Sequence, residues 1–519
     1  MRFGHGFSSF LIGVLLRLPA FGDSYVVSTP MRTRQRQVQK LEKMTSAICT
    51  TELGTLTEDM LEQSHELVWE WSHLKDPSKE CAIYTESILK RVVEEHTINT
   101  DAALPTLDDY NCLLEGWARS KCGIAAAERC EHILQEMEDA SYMLPDLESF
   151  KTVLMAWREA SDQQVLFAPH RAQRILEWMI HLYTHGENRF ACPDADCFDT
   201  VLQLWAKSGL PEAPMKAEQL VGTMEKFYEE TGKSKAQPRT SSFNAVLKAW
   251  SKSKDPEAPS RSLAILTFMD KLSQDSDVVA PDTNSFILAV TALKNHAKKD
   301  PILADTACRA LQFVEGAYMS GMSHLKPTNA LFNSVLGCWA KASGSAGSYR
   351  RARSVLVRQM KLHEDTGATS PNVFGFTSVL ATCAMEPKEK GKAFQVAMQT
   401  FQQLRHSDQY GKPNHVTYGT MLKCCARLLP AGSPERKKFV RKIWGMCVQD
   451  GCVGDMALRW LREASSSQPT YRKLLGKGHS RSNLPLSWTR NVDAKSGAVR
   501  RKQSNHNRKA RRAARFAEV

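Results

Sequence analysis

The sequence contains no hydrophobic run long enough to cross a bilayer. Its apolar stretch near the N-terminus, Phe7 to Leu16, has ten residues, where a spanning helix needs about 20. Signatures of catalysis are equally scarce. Walker, GxSxG and GxGxxG patterns are missing, which removes the commonest phosphate cradles and serine nucleophiles. A zinc deaminase needs His-x-Glu together with CxxC, and no CxxC occurs. A metal-dependent nuclease would need a further long folded region with clustered aspartates, yet only a short basic tail follows Leu461. The chain therefore reads as a non-enzyme, with no cofactor, no metal site and no membrane association.

What is present begins with fourteen cysteines. Several sit where apolar helix positions are expected, such as Cys112, Cys383 and Cys425, so a reduced compartment with buried free thiols is the better reading than a disulfide framework. Cys424, Cys425, Cys447 and Cys452 have neither CxxC spacing nor a nearby His pair, as a zinc site would require. Charge is unevenly spread. Of the formal +13, residues 1–44 carry +5 and residues 465–519 carry +12, which leaves the middle at about −4. Attraction for polyanions thus belongs first to the two ends.

Residues 1–44 are acid-poor and arginine-bearing, as organelle targeting segments are. Two versions compete: a mitochondrial presequence, or a signal peptide followed by a plastid transit peptide, for which the Ala20-Phe21 junction speaks. Mitochondrion is the first expectation and plastid the alternative. Plain secretion is disfavoured because no disulfide pattern is visible.

The strongest internal signal is a proline followed five residues later by an aromatic. It occurs eight times, at Pro105/Tyr110, Pro145/Phe150, Pro193/Phe198, Pro238/Phe243, Pro281/Phe286, Pro327/Phe332, Pro371/Phe376 and Pro413/Tyr418. Chance would place an aromatic there about once. Apolar residues recur at offsets three, four and seven from each aromatic, as in Phe198, Val201, Leu202, Trp205 and Phe332, Val335, Leu336, Trp339. That is one face of an α-helix. A second helix follows, marked by a small residue seven positions before a large apolar one: Ala172 and Met179, Ala217 and Met224, Ser262 and Met269, Ala397 and Leu404. A single hairpin of this kind cannot bury its own stripe, so stacking on neighbours is compulsory and the fold is all-α, an α-solenoid. The tryptophans Trp117, Trp157, Trp205, Trp250 and Trp339 share the stripe and are expected to seal hairpin against hairpin, not to stack on bases.

The terminal proline, the Asp, Asn or Thr after it, the aromatic-polar pair Tyr110-Asn111, Phe243-Asn244 or Phe332-Asn333, and the small-x6-Met spacing together resemble the pentatricopeptide repeat family. The tetratricopeptide pattern W-x2-L-G-x2-Y is absent. The resemblance covers residues 105–455, about eight hairpins, preceded by a degenerate repeat or cap over 45–104 and followed by a basic, mostly disordered tail over 456–519. Successive aromatics lie 40, 48, 45, 43, 46, 44 and 42 residues apart, where the family's unit is about 35. The repeat is therefore a lengthened variant.

The resemblance implies a right-handed superhelix that reads one unstacked base per repeat, through the polar residue after the first-helix aromatic and the residue after the terminal proline. In this sequence the matching pairs are Asn111 with Asp146, Asn244 with Asp282, Asn333 with Asn372, and Thr377 with Asn414. By the family's code Asn with Asp suggests uracil, Asn with Asn a pyrimidine and Thr with Asn adenine. Lys151 (with Asp194), Asp199 (with Arg239), Ile287 (with Thr328) and Gly419 do not match reading positions, and Lys151, Asp199, Ile287 and Gly419 are expected to contact backbone or stand idle. Asp or Asn after a proline is also a good helix N-cap, so capping competes with reading at each. Two residues before each aromatic, where the family sandwiches the base with an aliphatic side chain, stand Asp108, Glu148, Asp196, Ser241, Asn284, Ala330, Phe374 and Val416. Acidic residues there repel phosphate, which favours the C-terminal repeats for RNA. The tail segment RRKQSNHNRKARRAARF would bind phosphates without reading sequence.

Two functions follow as expectations. The first is an organellar, monomeric binder of single-stranded RNA acting in transcript processing, stability or translation. The alternative is a solenoid scaffold for protein or ribonucleoprotein partners, for which the near-neutral body speaks.

Overall fold

The computed structural model describes residues 29–492, apart from 75–77, 141, 162–165, 276–277, 343–344, 466 and 477–483. Residues 1–28 of the segment 1–44 expected to be a targeting sequence, and the basic stretch from 493 onward, lie outside the described residues. Every regular element among the described residues is helical, and none of these helices is long and apolar enough to cross a membrane.

The chain forms two compact units, divided between Ala156 and Trp157. The first contains α1 (Thr29–Thr50), α2 (Glu58–Ser72), α3 (Lys79–Ile98), α4 (Leu107–Arg119) and α5 (Ile124–Asp139), and the boundary falls inside α6 (Leu147–Ser161). Helices α2 and α3 are the hairpin expected over 45–104. The boundary expected at residue 44 falls inside α1, which packs on α2 and α3. Its Leu41 and Ile48 are buried, and its Thr45 hydroxyl accepts the Trp71 indole N–H at 2.9 Å. This end of the unit is closed by a buried ion pair: Glu95 takes the Arg91 guanidinium at 2.7 Å and the amides of Gly54 and Leu56 at 2.9 and 3.0 Å.

The second unit continues as hairpins: α7 (Ala168–Thr184), α8 (Ala195–Ser208), α9 (Ala213–Thr231), α10 (Thr240–Lys252), α11 (Ala258–Asp275), α12 (Thr283–His296), α13 (Ile302–Met319), α14 (Asn329–Lys341), α15 (Ser348–Thr366), α16 (Val373–Cys383), α17 (Lys390–His406), α18 (His415–Leu428), α19 (Pro434–Gln449), α20 (Asp455–Ala464), α21 (Gln468–Leu475) and α22 (Leu486–Thr489). The first helices α8, α10, α12, α14, α16, α18 and α20 form one continuous row, each packed on the next. Their partners α9, α11, α13, α15, α17 and α19 pack beside them. Residues 456–464, expected to belong to the tail, lie in α20, which is locked onto α18 by buried Ala457, Leu458 and Leu461.

Local sequence explains the ends. Asp194, Asp282, Asn372 and Asn414, each following a repeat proline, cap α8, α12, α16 and α18 by accepting amide protons of the first turn, which stabilises a helix start by about 1 kcal/mol. Helix α9 begins with Pro214 in its first turn and ends at Gly232, whose φ of 64° is the left-handed conformation a C-terminal stop requires.

Packing follows the stripe. Phe198, Val201, Leu202 and Trp205 are buried, as are Phe332, Val335, Leu336 and Trp339. The small-to-large pairs Ala172/Met179, Ala217/Met224, Ser262/Met269 and Ala397/Leu404 are all fully buried. Four of the five stripe tryptophans also use their polar edge, while the buried Trp157 Nε1 has no hydrogen-bond partner. Trp117 donates to Glu86 on α3, Trp205 to Gln173 on α7, Trp250 to Glu218 on α9 and Trp339 to Cys308 on α13, at 2.8–3.0 Å. Each indole therefore ties a first helix to the second helix of the hairpin before it, which is what a buried tryptophan needs to satisfy its N–H.

Candidate nucleic-acid interface

Within each unit, polar residues that follow a first-helix aromatic meet the first turn of the next first helix. In the first unit, Ser149 donates its hydroxyl to Oδ1 of Asn111 at 2.6 Å, and Nδ2 of Asn111 donates to Oδ1 of Asp146 at 3.3 Å. In the second, Ser285 donates to Oδ1 of Asn244 at 2.7 Å and Nδ2 of Asn244 donates to Oδ1 of Asp282 at 3.2 Å. Asp146 and Asp282 at the same time accept the amides of Ser149 and Ser285 at 3.0 and 2.7 Å. Capping and contact with Asn111 or Asn244 are thus carried by one carboxylate.

The link recurs with other chemistry. The hydroxyls of Thr377 and Thr417 lie 2.9 Å apart, and Thr417 donates to Asn414 at 3.0 Å. Nδ1 of His65, on the degenerate hairpin, lies 2.6 Å from Oδ2 of Asp109. Ser242 donates to Asp199 at 2.6 Å. One relation therefore repeats along both units: the polar residue of one hairpin bonds the residue just before the next hairpin's aromatic.

Asn333 departs from it. The partner position is Gly375, where a Cβ would stand 3.4 Å from Oδ1 of Asn333. With no hydroxyl there, that oxygen is buried without a hydrogen-bond partner. Asn372 caps the Gly375 amide at 3.2 Å.

Asp199 corrects an expectation. It is not idle: Arg239 donates to it at 2.9 Å and to Asp196 at 2.7 Å, while Ser241 and Ser242 add two further bonds at 2.7 and 2.6 Å. The pair that does not match a reading pair is thus an ion pair, which holds the Arg239 guanidinium above its ordinary pKa through its bond to Asp196. Ile287 has no polar atom to offer, and Thr328 caps α14. Lys151 and Asp194 belong to different units.

The sandwich positions divide the row. Phe374 is 57% exposed and Val416 37%, so both offer apolar surface to a ligand. Asp196 is tied to Arg239.

A row of cations missed at the sequence level lies eight residues after the reading position: Arg119, Lys207, Lys252, Lys341 and Arg427. Several of its members are structural. Arg119 donates to the carbonyls of Ser72 and Leu74, and Lys252 to that of Ala206 at 2.6 Å. Asn295, at the same position of α12, donates to Ser251 at 2.7 Å. Each caps the C-terminus of the preceding first helix, where the partial negative charge favours a donor. Burial, then repulsion from Lys248 and Lys207, lowers the Lys252 pKa. The signal was available as a period-eight offset on one helix face.

The thiols are free. Burial pushes Cys130, Cys338, Cys383 and Cys425 up to about 12, so they are packing groups. Among the described residues no group of three His, Cys, Asp or Glu could hold a metal ion.

No protein-family model matches the chain, and no curated protein sequence matches it. Solved structures do. The chain is similar to pentatricopeptide repeat proteins. The crystal structure of the maize repeat protein PPR10 matches with 18% identity and a TM-score of 0.46, covering 88% of this chain and 57% of that one. PPR10 in complex with an 18-nt psaJ RNA element matches with 14% identity and a TM-score of 0.30, covering 84% of this chain and 64% of that one. This chain thus spans about three fifths of the length of the PPR10 structures it matches.

Proposed function

We propose that the chain is a pentatricopeptide-like binder of single-stranded RNA, in a mitochondrion or plastid, acting without chemistry of its own on transcript processing, stability or translation. The observation that carries this is the repeated junction in which a polar side chain on one first helix is oriented by the next. In Asn111 and Asn244 the carbonyl oxygen is consumed by Ser149 and Ser285. One N–H of each amide is used on an aspartate and the other is left, so these residues present a donor to a base edge. That fits an acceptor such as a uracil oxygen. Asn333, whose buried carbonyl oxygen has no such partner, lacks this orientation. The PPR10–RNA complex is the solved precedent for a repeat protein of this kind holding RNA; the chain here is read as a monomer that does the same.

Selection from a randomised 30-nucleotide RNA pool on the full chain, with the tail residues Arg508, Lys509, Arg511, Arg512 and Arg515 changed to Gln, tests it. Enrichment of a sequence that loses definition when Asn244 and Thr377 become Ala supports reading by the row. A pool without enrichment overturns it.

The second reading, a scaffold for a protein or ribonucleoprotein partner, is favoured by one observation, the closed Asp196–Arg239–Asp199 network. A position so saturated has nothing to give a base, and at that junction the row serves the stack alone.

A further inference from the structure

The last hairpin ends the row differently from the others. Its reading position is Gly419, and the reason is steric: a Cβ there would lie 2.7 Å from Cγ of Met456 and 3.1 Å from the Ala457 amide of α20. Helix α20 covers the place where a base would otherwise be met. One turn further along both helices, Lys423 on α18 comes opposite Trp460 on α20. Three cations surround that ring: Lys423 Nζ at 5.6 Å from its centroid, Arg427 Cζ at 5.5 Å and Arg459 Cζ at 5.6 Å.

Three like charges around one side chain repel one another, and the ring quadrupole offsets only part of that. No carboxylate relieves it: among the described residues none of the three forms an ion pair. Arg427 spends one N–H on the Met385 sulfur, a neutral acceptor. The Lys423 pKa is lowered, chiefly by burial and then by Arg427 and Arg459, as the crowding requires. Arg427 and Arg459 are exposed, and Lys423 and Trp460 are half-buried, so the cluster is open to solvent. A fixed, uncompensated positive cluster beside a covered reading position has the makings of an anion site.

We propose that Lys423, Arg427 and Arg459, arranged round Trp460, bind a phosphate of single-stranded nucleic acid where the strand leaves the last open reading position, without regard to its base. This rests on the RNA-binding reading above. The shared chemistry is a phosphate oxyanion, from either an internal phosphodiester or a terminal monophosphate.

The test uses the full chain and an internally labelled 20-nucleotide oligouridylate, with a 5′-hydroxyl or a 5′-phosphate, followed by fluorescence anisotropy across a salt series. Arg427→Ala with Arg459→Ala should weaken binding about tenfold at low salt and make the dependence of log K on log salt shallower by about 0.7, the contribution of one phosphate contact on a single strand. Arg427→Lys with Arg459→Lys should restore most of both, and thermal midpoints should stay together. A loss confined to the 5′-phosphorylated strand identifies the terminal group; an equal loss on both identifies the phosphodiester. Unchanged affinity and slope in the Ala pair overturn the proposal. So does a variant that keeps oligouridylate but loses an oligoglutamate of matched charge, which would make the cluster a protein contact. Failure of base reading looks different: the pool gives no enrichment while the slope still falls with the two arginines.

Discussion

The junction after α8 and the junction after α16 occupy the same place in the repeat and are built oppositely. After α8, Asp199 is held by Arg239, Ser241 and Ser242, with Asp196 on the same guanidinium. After α16, Thr377 shares a hydroxyl contact with Thr417, and the neighbouring Phe374 and Val416 turn apolar surface outward. Both arrangements satisfy the packing of first helix on first helix. Only the second leaves surface for a ligand. The scaffold thus fixes where a polar residue will stand and leaves open whether it is spent on the stack or kept for a partner.

The comparison can be broken hardest at Asp199. Asp199→Ala leaves two serine hydroxyls and part of a guanidinium without their acceptor in a nearly buried place, which should cost roughly 2 to 3 kcal/mol in urea unfolding. RNA affinity per folded molecule should not change; a fall in affinity at equal folded fraction would show that this junction touches the ligand after all. Phe374→Ala sharpens the other side. A largely exposed ring contributes little to the core, whereas a base stacked on it is worth about 1 to 3 kcal/mol. The expected outcome is roughly fivefold or greater loss of RNA affinity with an unchanged thermal midpoint, and equal affinities would remove the apolar surface from the interface. The smallest effect belongs to Gly375→Ser. It gives Asn333 the hydroxyl that Asn111 and Asn244 already have, at the cost of a slight shift of Leu336, whose Cδ1 is 3.3 Å from the new Cβ. The change should orient the amide as at Asn111 and Asn244 and sharpen preference at that one base by about 1 kcal/mol or less, read as narrowing of a single position in the selected RNA.

Much of the site was legible before the structure. The pairing of Asn111 with Asp146 and of Asn244 with Asp282 came from the register of prolines and aromatics, and the side chains do meet. The third partner is a hydroxyl. Ser149, Ser242, Ser285 and Thr417 each stand one place before an aromatic, in plain view, but a hydroxyl in the first turn of a helix reads as a cap until the neighbouring helix is seen 3 Å away. Asp199 with Arg239 does not match a reading pair, but opposite charges at that spacing signal the ion pair. At Gly419 the sequence shows a missing side chain, and only the approach of α20 explains it.

By itself the sequence determined the period and the faces. Eight proline-aromatic marks and a three-four-seven stripe specify paired helices, because those offsets place apolar groups on one side of a 3.6-residue turn, and a hairpin with such a side must find neighbours. Tertiary structure decided how each exposed polar position is used. Hydrogen bonding reaches only about 3 Å, and which side chains come within that distance across 40 residues of chain depends on how closely two helices pack. Asn333 is left unpaired, Asp199 is saturated and Gly419 is covered for that reason alone.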